Sequence, residues 1–183
     1  MTQRSRIRYR AEDIWDTPED SNRYEVIDGD LYVTPAPAWR HQRCLGRLYI
    51  IVGSAVYREG LGEIVPAPTG VVLDPDDGVQ PDLLFIKRER LGIISARGVE
   101  GAPDLVVEVL SPSTEDRDRG IKMRRYGRAG VPHYWLMDTA APAIETYRLG
   151  EQGYELTGTY GPGSVLRCEL FPGLDIPVDQ IWS

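Results

Sequence analysis

Residues 24–35 alternate apolar and polar positions on both sides of an Asp28-Gly29 pair, the pattern of a β-hairpin with a tight two-residue turn. Pro35 and Pro37 then end the strand. From Trp39 to Tyr57 the period changes: His41, Leu45, Leu48, Val52 and Val56 recur on one face of an amphipathic helix that closes before Gly60. The stretch 62–73 reads as a strand with a proline interruption, and 74–78 as a turn. "PDLLFI" at 81–86 and "PDLVVEVL" at 103–110 are near-continuous apolar runs, as found at sheet centres covered on both faces. A second helix is expected from about 114 to Ala129, stopping at Gly130-Val131-Pro132. Ser113 and Asp116 have capping-box spacing, and acids crowd the first turn. "HYWLMD" at 133–138 is another buried strand, and 140–183 looks like an antiparallel β extension. The order predicts one α/β domain over residues 1–183, with helices flanking a mixed central sheet. Residues 1–20 form a basic arm and a short helix in this reading.

Composition narrows what such a domain can do. The 183 residues carry a net charge of −7, which argues against holding nucleic acid by bulk electrostatics. A nucleic-acid role would need a local basic surface, and two segments offer one: residues 4–10 and the second helix from Arg117 to Arg128. The longest apolar run, at 48–52, is far below the about 20 residues of a membrane helix. The polar, arginine-rich start does not resemble a secretory signal, and Cys44 and Cys168 fit no metal or redox spacing. A cytoplasmic protein that enters no membrane is the expectation.

The chemistry concentrates on one strand. Side chains alternate along it, so Val106, Glu108 and Leu110 share one face and Leu105, Val107 and Val109 the other. Glu108 is therefore an ionisable group in the middle of a buried strand, which demands a cation, a metal or an edge open to water. Asp82 poses the same problem at the start of the neighbouring run. Adjacent carboxylates repel unless a divalent cation sits between them, and hard oxygen ligands suit Mg²⁺ or Mn²⁺. Asp104 lies roughly 13 Å along the strand from Glu108, too far to share a metal, whereas Asp82 can approach laterally at about 4.8 Å.

Leu110 occupies the position where a cation beside Glu108 would be convenient. The following helix must fold back over the sheet, and Lys122, about 12 Å into it, returns near Glu108. The chain has 19 arginines and only two lysines, Lys87 and Lys122. A lysine, unlike an arginine, can shift its pKa and handle protons. Pattern alone leaves a surface lysine on a basic helix equally open.

Tyr24-Glu25 with Asp28-Gly29, then Gln80-Pro81-Asp82, the block Pro103 to Thr114, Asp118, Lys122 and Tyr126, and Tyr134 to Asp138 together resemble the Uma-type "putative restriction endonuclease" family. The resemblance implies a restriction-endonuclease-like core of the PD-(D/E)XK nuclease superfamily. It implies a metal site of Asp82, Glu108 and the backbone carbonyl of Val109, with Lys122 as a catalytic lysine migrated from position 110. The reaction would be hydrolysis of DNA phosphodiester bonds with Mg²⁺ or Mn²⁺, in a homodimer if both strands of a duplex are cut. Arg119, Arg125 and Arg128 could bind flanking phosphates. Glu25 is either an accessory acid or a surface glutamate of the hairpin. His41 reads more readily as a packing residue than as part of the cleft rim. Asp118, four residues before Lys122, reads as a helix partner. The competing functions are an inactive nuclease fold that binds DNA or protein, and a hydrolase of small phosphoesters.

Overall fold

A computed structural model describes residues 7–183. Residues 4–6 of the basic arm expected at 4–10 lie outside the described residues, and the short helix after the arm is present as a 3-10 segment, Ala11–Asp16.

The hairpin forms as β1 (Arg23–Ile27) and β2 (Asp30–Thr34), with Asp28 and Gly29 both in the left-handed region at φ 53° and 72°. Such a turn matches the twist of the paired strands. Helix α1 (Trp39–Glu59) ends on Gly60 in the left-handed conformation, whose amide reaches back to the last turn. The proline-interrupted stretch is not one strand. It divides into β3 (Gly62–Pro66) and β4 (Val71–Asp74), which join different sheets. The expected turn at 74–78 is tighter, and its end already belongs to β5 (Asp77–Val79).

Two apolar runs become β6 (Leu83–Lys87) and β8 (Leu105–Leu110), separated by the short β7 (Val99–Glu100). With β9 (His133–Asp138), β10 (Ala143–Gly150) and β11 (Gly153–Tyr160) they form a six-stranded mixed sheet in the order β11-β10-β9-β8-β6-β3. A second, five-stranded sheet, β2-β1-β5-β4-β7, carries the hairpin. The β extension is shorter than its pattern suggests: after β11, only β12 (Val165–Leu166) pairs with β13 (Ile176–Pro177), before the last helix α4 (Asp179–Trp182).

The two faces of β8 divide the core as alternation requires. Leu105, Val107 and Val109 pack with Leu45, Leu48 and Val52 of α1. Val106 and Leu110 pack on the other side with Tyr126 and with Ile27 and Val79 of the second sheet. Glu108 belongs to this second face, between the two sheets.

The helix after β8 runs as α2 (Glu115–Arg117), a π-helical turn (Asp118–Lys122) and α3 (Met123–Ala129), ending on left-handed Gly130. The capping box expected at Ser113 is absent. The helix starts after Thr114, without a side-chain cap. Its opening turn is held instead by the Ser111 carbonyl, which accepts from the amides of Thr114 and Glu115. Meanwhile the Ser111 hydroxyl bonds the hydroxyls of Ser113 and Thr114.

Candidate active site

Strand β6 pairs antiparallel with β8, Leu83 opposite Val107. One step further along this register sets Asp82 opposite Glu108. Both side chains are buried, and so are Glu25, Asp118 and Lys122. Burying this many ionisable groups costs several kcal/mol for each unless it is paired. The pairing is the site.

Lys122 Nζ lies 2.6 Å from Oε1 of Glu108, 2.9 Å from Oε1 of Glu25 and 3.6 Å from Oδ1 of Asp118. The π-helical turn brings Asp118 and Lys122 inward together, and such turns recur at functional sites. Burial pulls the Lys122 ammonium down, but the three carboxylates around it outweigh burial and hold it protonated, above its ordinary range. Glu108 shares that single cation with two other acids. Its Oε1 also accepts a hydrogen bond from the buried Tyr126 hydroxyl at 2.7 Å. Burial, with Asp118, Asp82 and Glu25 nearby, pushes its carboxyl up to about 8 despite Lys122. Asp118 is raised as well, chiefly by burial. Glu25 goes the other way: burial is outweighed by Lys122 and Arg23.

Asp82 is held separately. Its Oδ1 accepts from Arg23 at 2.7 Å; its Oδ2 accepts from the Val109 amide at 2.7 Å and faces His41 Nε2 at 3.1 Å. These donors overcome the effect of burial and keep the carboxyl well below the usual range. Because the amide of Val109 points at Asp82, its carbonyl leaves the strand on the same side. Pro81, next to Asp82, has no N–H with which to engage it.

These groups line one cleft of about 310 Å³ between the hairpin, the start of α1 and the loop after β8. Of the buried side-chain polar atoms left without a hydrogen-bond partner among the described residues, Glu25 Oε2, His41 Nδ1 and Arg117 Nε belong to this lining. Buried polar groups are nearly always satisfied, so three orphans in one cleft mark a place where a ligand, ion or water completes the structure. Four acids in this lining, Glu25, Asp82, Glu108 and Asp118, face four cations, Arg23, Arg40, Arg117 and Lys122.

A family model described as "Putative restriction endonuclease" (Uma2) matches residues 11–179. The chain belongs to this family. A relative from Synechocystis, the uncharacterised protein slr1290, is 38% identical over 81 residues, which are 44% of this chain and 42% of that protein. The match thus spans less than half of the relative's length. A crystal structure from Anabaena variabilis, described as a putative nuclease belonging to DUF820, superimposes with a TM-score of 0.77. It covers 94% of this chain and 97% of that one at 17% identity, so the likeness is one of fold, a mixed α/β core in keeping with a restriction-endonuclease-like architecture.

Within this family fold, the residues singled out in the sequence separate into two groups. Asp82, Glu108, Lys122, Glu25 and His41 meet in the cleft, and the backbone of Val109 lines it. Glu25 is 1% exposed rather than a surface residue of the hairpin, and His41 is bonded to Asp82 rather than merely packed. Asp104 is a strand-start residue, accepting from the Lys87 amide and pairing with Arg90. The three helix arginines do not line the cleft. Arg119 makes two bonds to Glu145 and one to Glu115. Arg125 is bound to Asp77 and near Asp28, and exposed Arg128 lines a separate groove beside the β10–β11 turn.

Arg23 and Arg40 are cleft cations that the pattern did not single out, and Arg117 figures there only as the start of the basic helix. Arg23 lies two residues before Glu25 on β1, so strand alternation puts both on one face. Arg117 opens the helix, donates to Thr34 Oγ1 at 2.8 Å and stacks on the Tyr32 ring at 5.1 Å. No sequence pattern announces that contact.

Proposed function

We propose that this chain is a metal-dependent endonuclease that hydrolyses DNA phosphodiester bonds. The observation that carries the reading is the contact of the Lys122 ammonium with Glu108 and Glu25 on the floor of a cleft that also holds Asp82.

The donor set suits a hard divalent cation. Among the described residues no three His, Cys, Asp or Glu side chains converge as a ready-made metal cage. Mg²⁺ does not require one, since it commonly takes one or two carboxylates and keeps several waters. Asp82, Glu108 and the Val109 carbonyl would hold it. The orphaned Glu25 Oε2 leaves an unsatisfied acceptor beside these groups. A bound Mg²⁺ or Mn²⁺ supplies a lowered pKa for water and neutralises charge growing on the phosphorus oxygens.

The chain's own groups do the rest. Lys122, held protonated by the carboxylates around it, is placed to donate to the phosphoryl oxygen whose charge rises in the transition state. Glu25 Oε2, which has no hydrogen-bond partner and lies 3.8 Å from Arg117 Nη2, is the acceptor able to orient an attacking water. His41 and Arg23 fix both oxygens of Asp82, so that its orientation is set before substrate arrives.

Incubation with supercoiled, linear and single-stranded DNA in Mg²⁺ or Mn²⁺ tests the reading. Cleavage should depend on the metal and disappear in Asp82→Ala and Lys122→Ala. Cleavage that persists unchanged in both variants would overturn it.

A further inference from the structure

We infer that the DNA taken by this cleft is a single-stranded segment, with Trp39 as a stacking platform for an unpaired base; the inference rests on the nuclease reading of the same cleft. Three independent features converge on it.

The first is depth. Glu25, Asp82, Glu108 and Lys122 are each 1% exposed, so a phosphodiester must descend below the protein surface to meet them. The cleft's volume of about 310 Å³ sits at the lower end of small-molecule pockets, which span about 300–1,000 Å³. Its walls are Pro35-Ala36-Pro37 on one side and Ser111-Pro112-Ser113 on the other. One flexible strand can thread such a slot, whereas a continuous duplex presents its phosphates on a rigid cylinder with a groove about 12 Å wide.

The second is the distribution of cations. A duplex footprint needs many unpaired basic groups to displace counterions. Here Arg119, Arg125, Arg148 and Arg167 are engaged by Glu145, Asp77, Glu169 and Asp175, and exposed Arg124 and Arg128 line a separate groove rather than the cleft. At the cleft itself Arg40 is exposed, while Arg23 and Arg117 are mostly buried and already face Asp82 and Glu25, which leaves cation enough for a phosphate of one strand.

The third is Trp39. It is 80% exposed at the first position of α1, between Ala38 and Arg40, which both line the cleft. A large aromatic ring left in water next in sequence to cleft-lining residues is the kind of platform on which single-strand binders stack a base. Only an unstacked base can offer its face to such a ring.

Anisotropy of a labelled oligothymidylate in EDTA, where nothing is cut, measures this directly. Unlabelled single strand should displace the probe at least about tenfold better, per nucleotide, than a relaxed closed-circular duplex. Trp39→Ala should weaken strand binding about 5- to 150-fold, the loss of one base-aromatic stack, and Trp39→Phe should retain most of it. A circle that competes equally, a strand that does not bind, or a Trp39→Ala protein that binds as wild type would each overturn the inference. With Mg²⁺ added, a closed circle cut as fast as the strand retires this inference and spares the nuclease reading. A strand bound through Trp39 but never cut retires the nuclease reading and leaves the binding site standing.

Discussion

Lys122 Nζ stands 2.6 Å from Oε1 of Glu108, both side chains 1% exposed, although one residue lies on a strand and the other in the helix that follows it. This contact fills the place that Leu110 leaves vacant on the strand, and it sets what each residue can do. Removing the lysine strands Glu108, Glu25 and Asp118 without their shared cation. Breaking one partner of a buried ion pair costs about 3–5 kcal/mol. Lys122→Met should therefore lower the thermal midpoint by many degrees, and Glu25→Gln added to it should recover part of the loss. Calorimetry of the three proteins checks this; a Lys122→Met midpoint equal to wild type would contradict the buried network.

Acidity offers a second test. The Glu108 carboxyl rises from an ordinary 4.5 to about 8 on folding, mainly through burial. Between those values the folded protein keeps a proton that the unfolded chain releases, so stability falls as pH rises through that window. Asp118 shifts in the same direction. Asp82 and Glu25, lowered on folding, act with the opposite sign and only at more acidic pH. Urea unfolding in EDTA between pH 5 and 8 should show the decline, and Glu108→Gln should flatten it. A stability that rises over this range would refute the assignment.

Tyr126 donates to Glu108 from a fully buried position outside the cleft lining. Tyr126→Phe removes a hydrogen bond to a carboxylate, a class worth about 1.5–3 kcal/mol. The expected outcome is a lower kcat with KM nearly unchanged, and a pH–rate profile displaced relative to wild type. A change confined to KM would point to a substrate contact instead.

The arginines should divide by their partners. Arg125→Ala, which frees Asp77, should lower stability and leave kcat/KM of the remaining folded protein within about twofold. Arg117→Ala, at the cleft, should raise KM several-fold. Steady-state cleavage kinetics of both variants distinguish the two, and the reverse pattern would restore the helix arginines as phosphate ligands.

Local patterning revealed the parts of the fold whose signals lie within one element. The faces of β8, the hairpin turn at Asp28-Gly29 and the helix end at Gly60 follow from alternation, turn chemistry and capping. Asp82 and Glu108 were legible because a charge in an apolar run requires compensation, whereas pattern alone left Lys122 open between this site and the helix surface. The remainder depends on pairings between distant segments. Arg23 reaches Asp82 from a different sheet, and His41 reaches it from α1. Arg119 and Arg125 look like free cations in sequence because Glu145 and Asp77, which neutralise them, belong to other strands. The proline-interrupted stretch at 62–73 looks continuous because nothing local records that its halves enter different sheets.

If Asp82 and Lys122 serve one catalytic unit, single-turnover cleavage of a single-stranded substrate in Mg²⁺ will reveal it. Groups that act as a unit are non-additive when removed. Asp82→Ala and Lys122→Ala should each abolish nearly all of the rate, with the double variant falling no further than the worse of the two. A single variant that cleaves at the wild-type rate would contradict the account, and so would losses that multiply in the double variant.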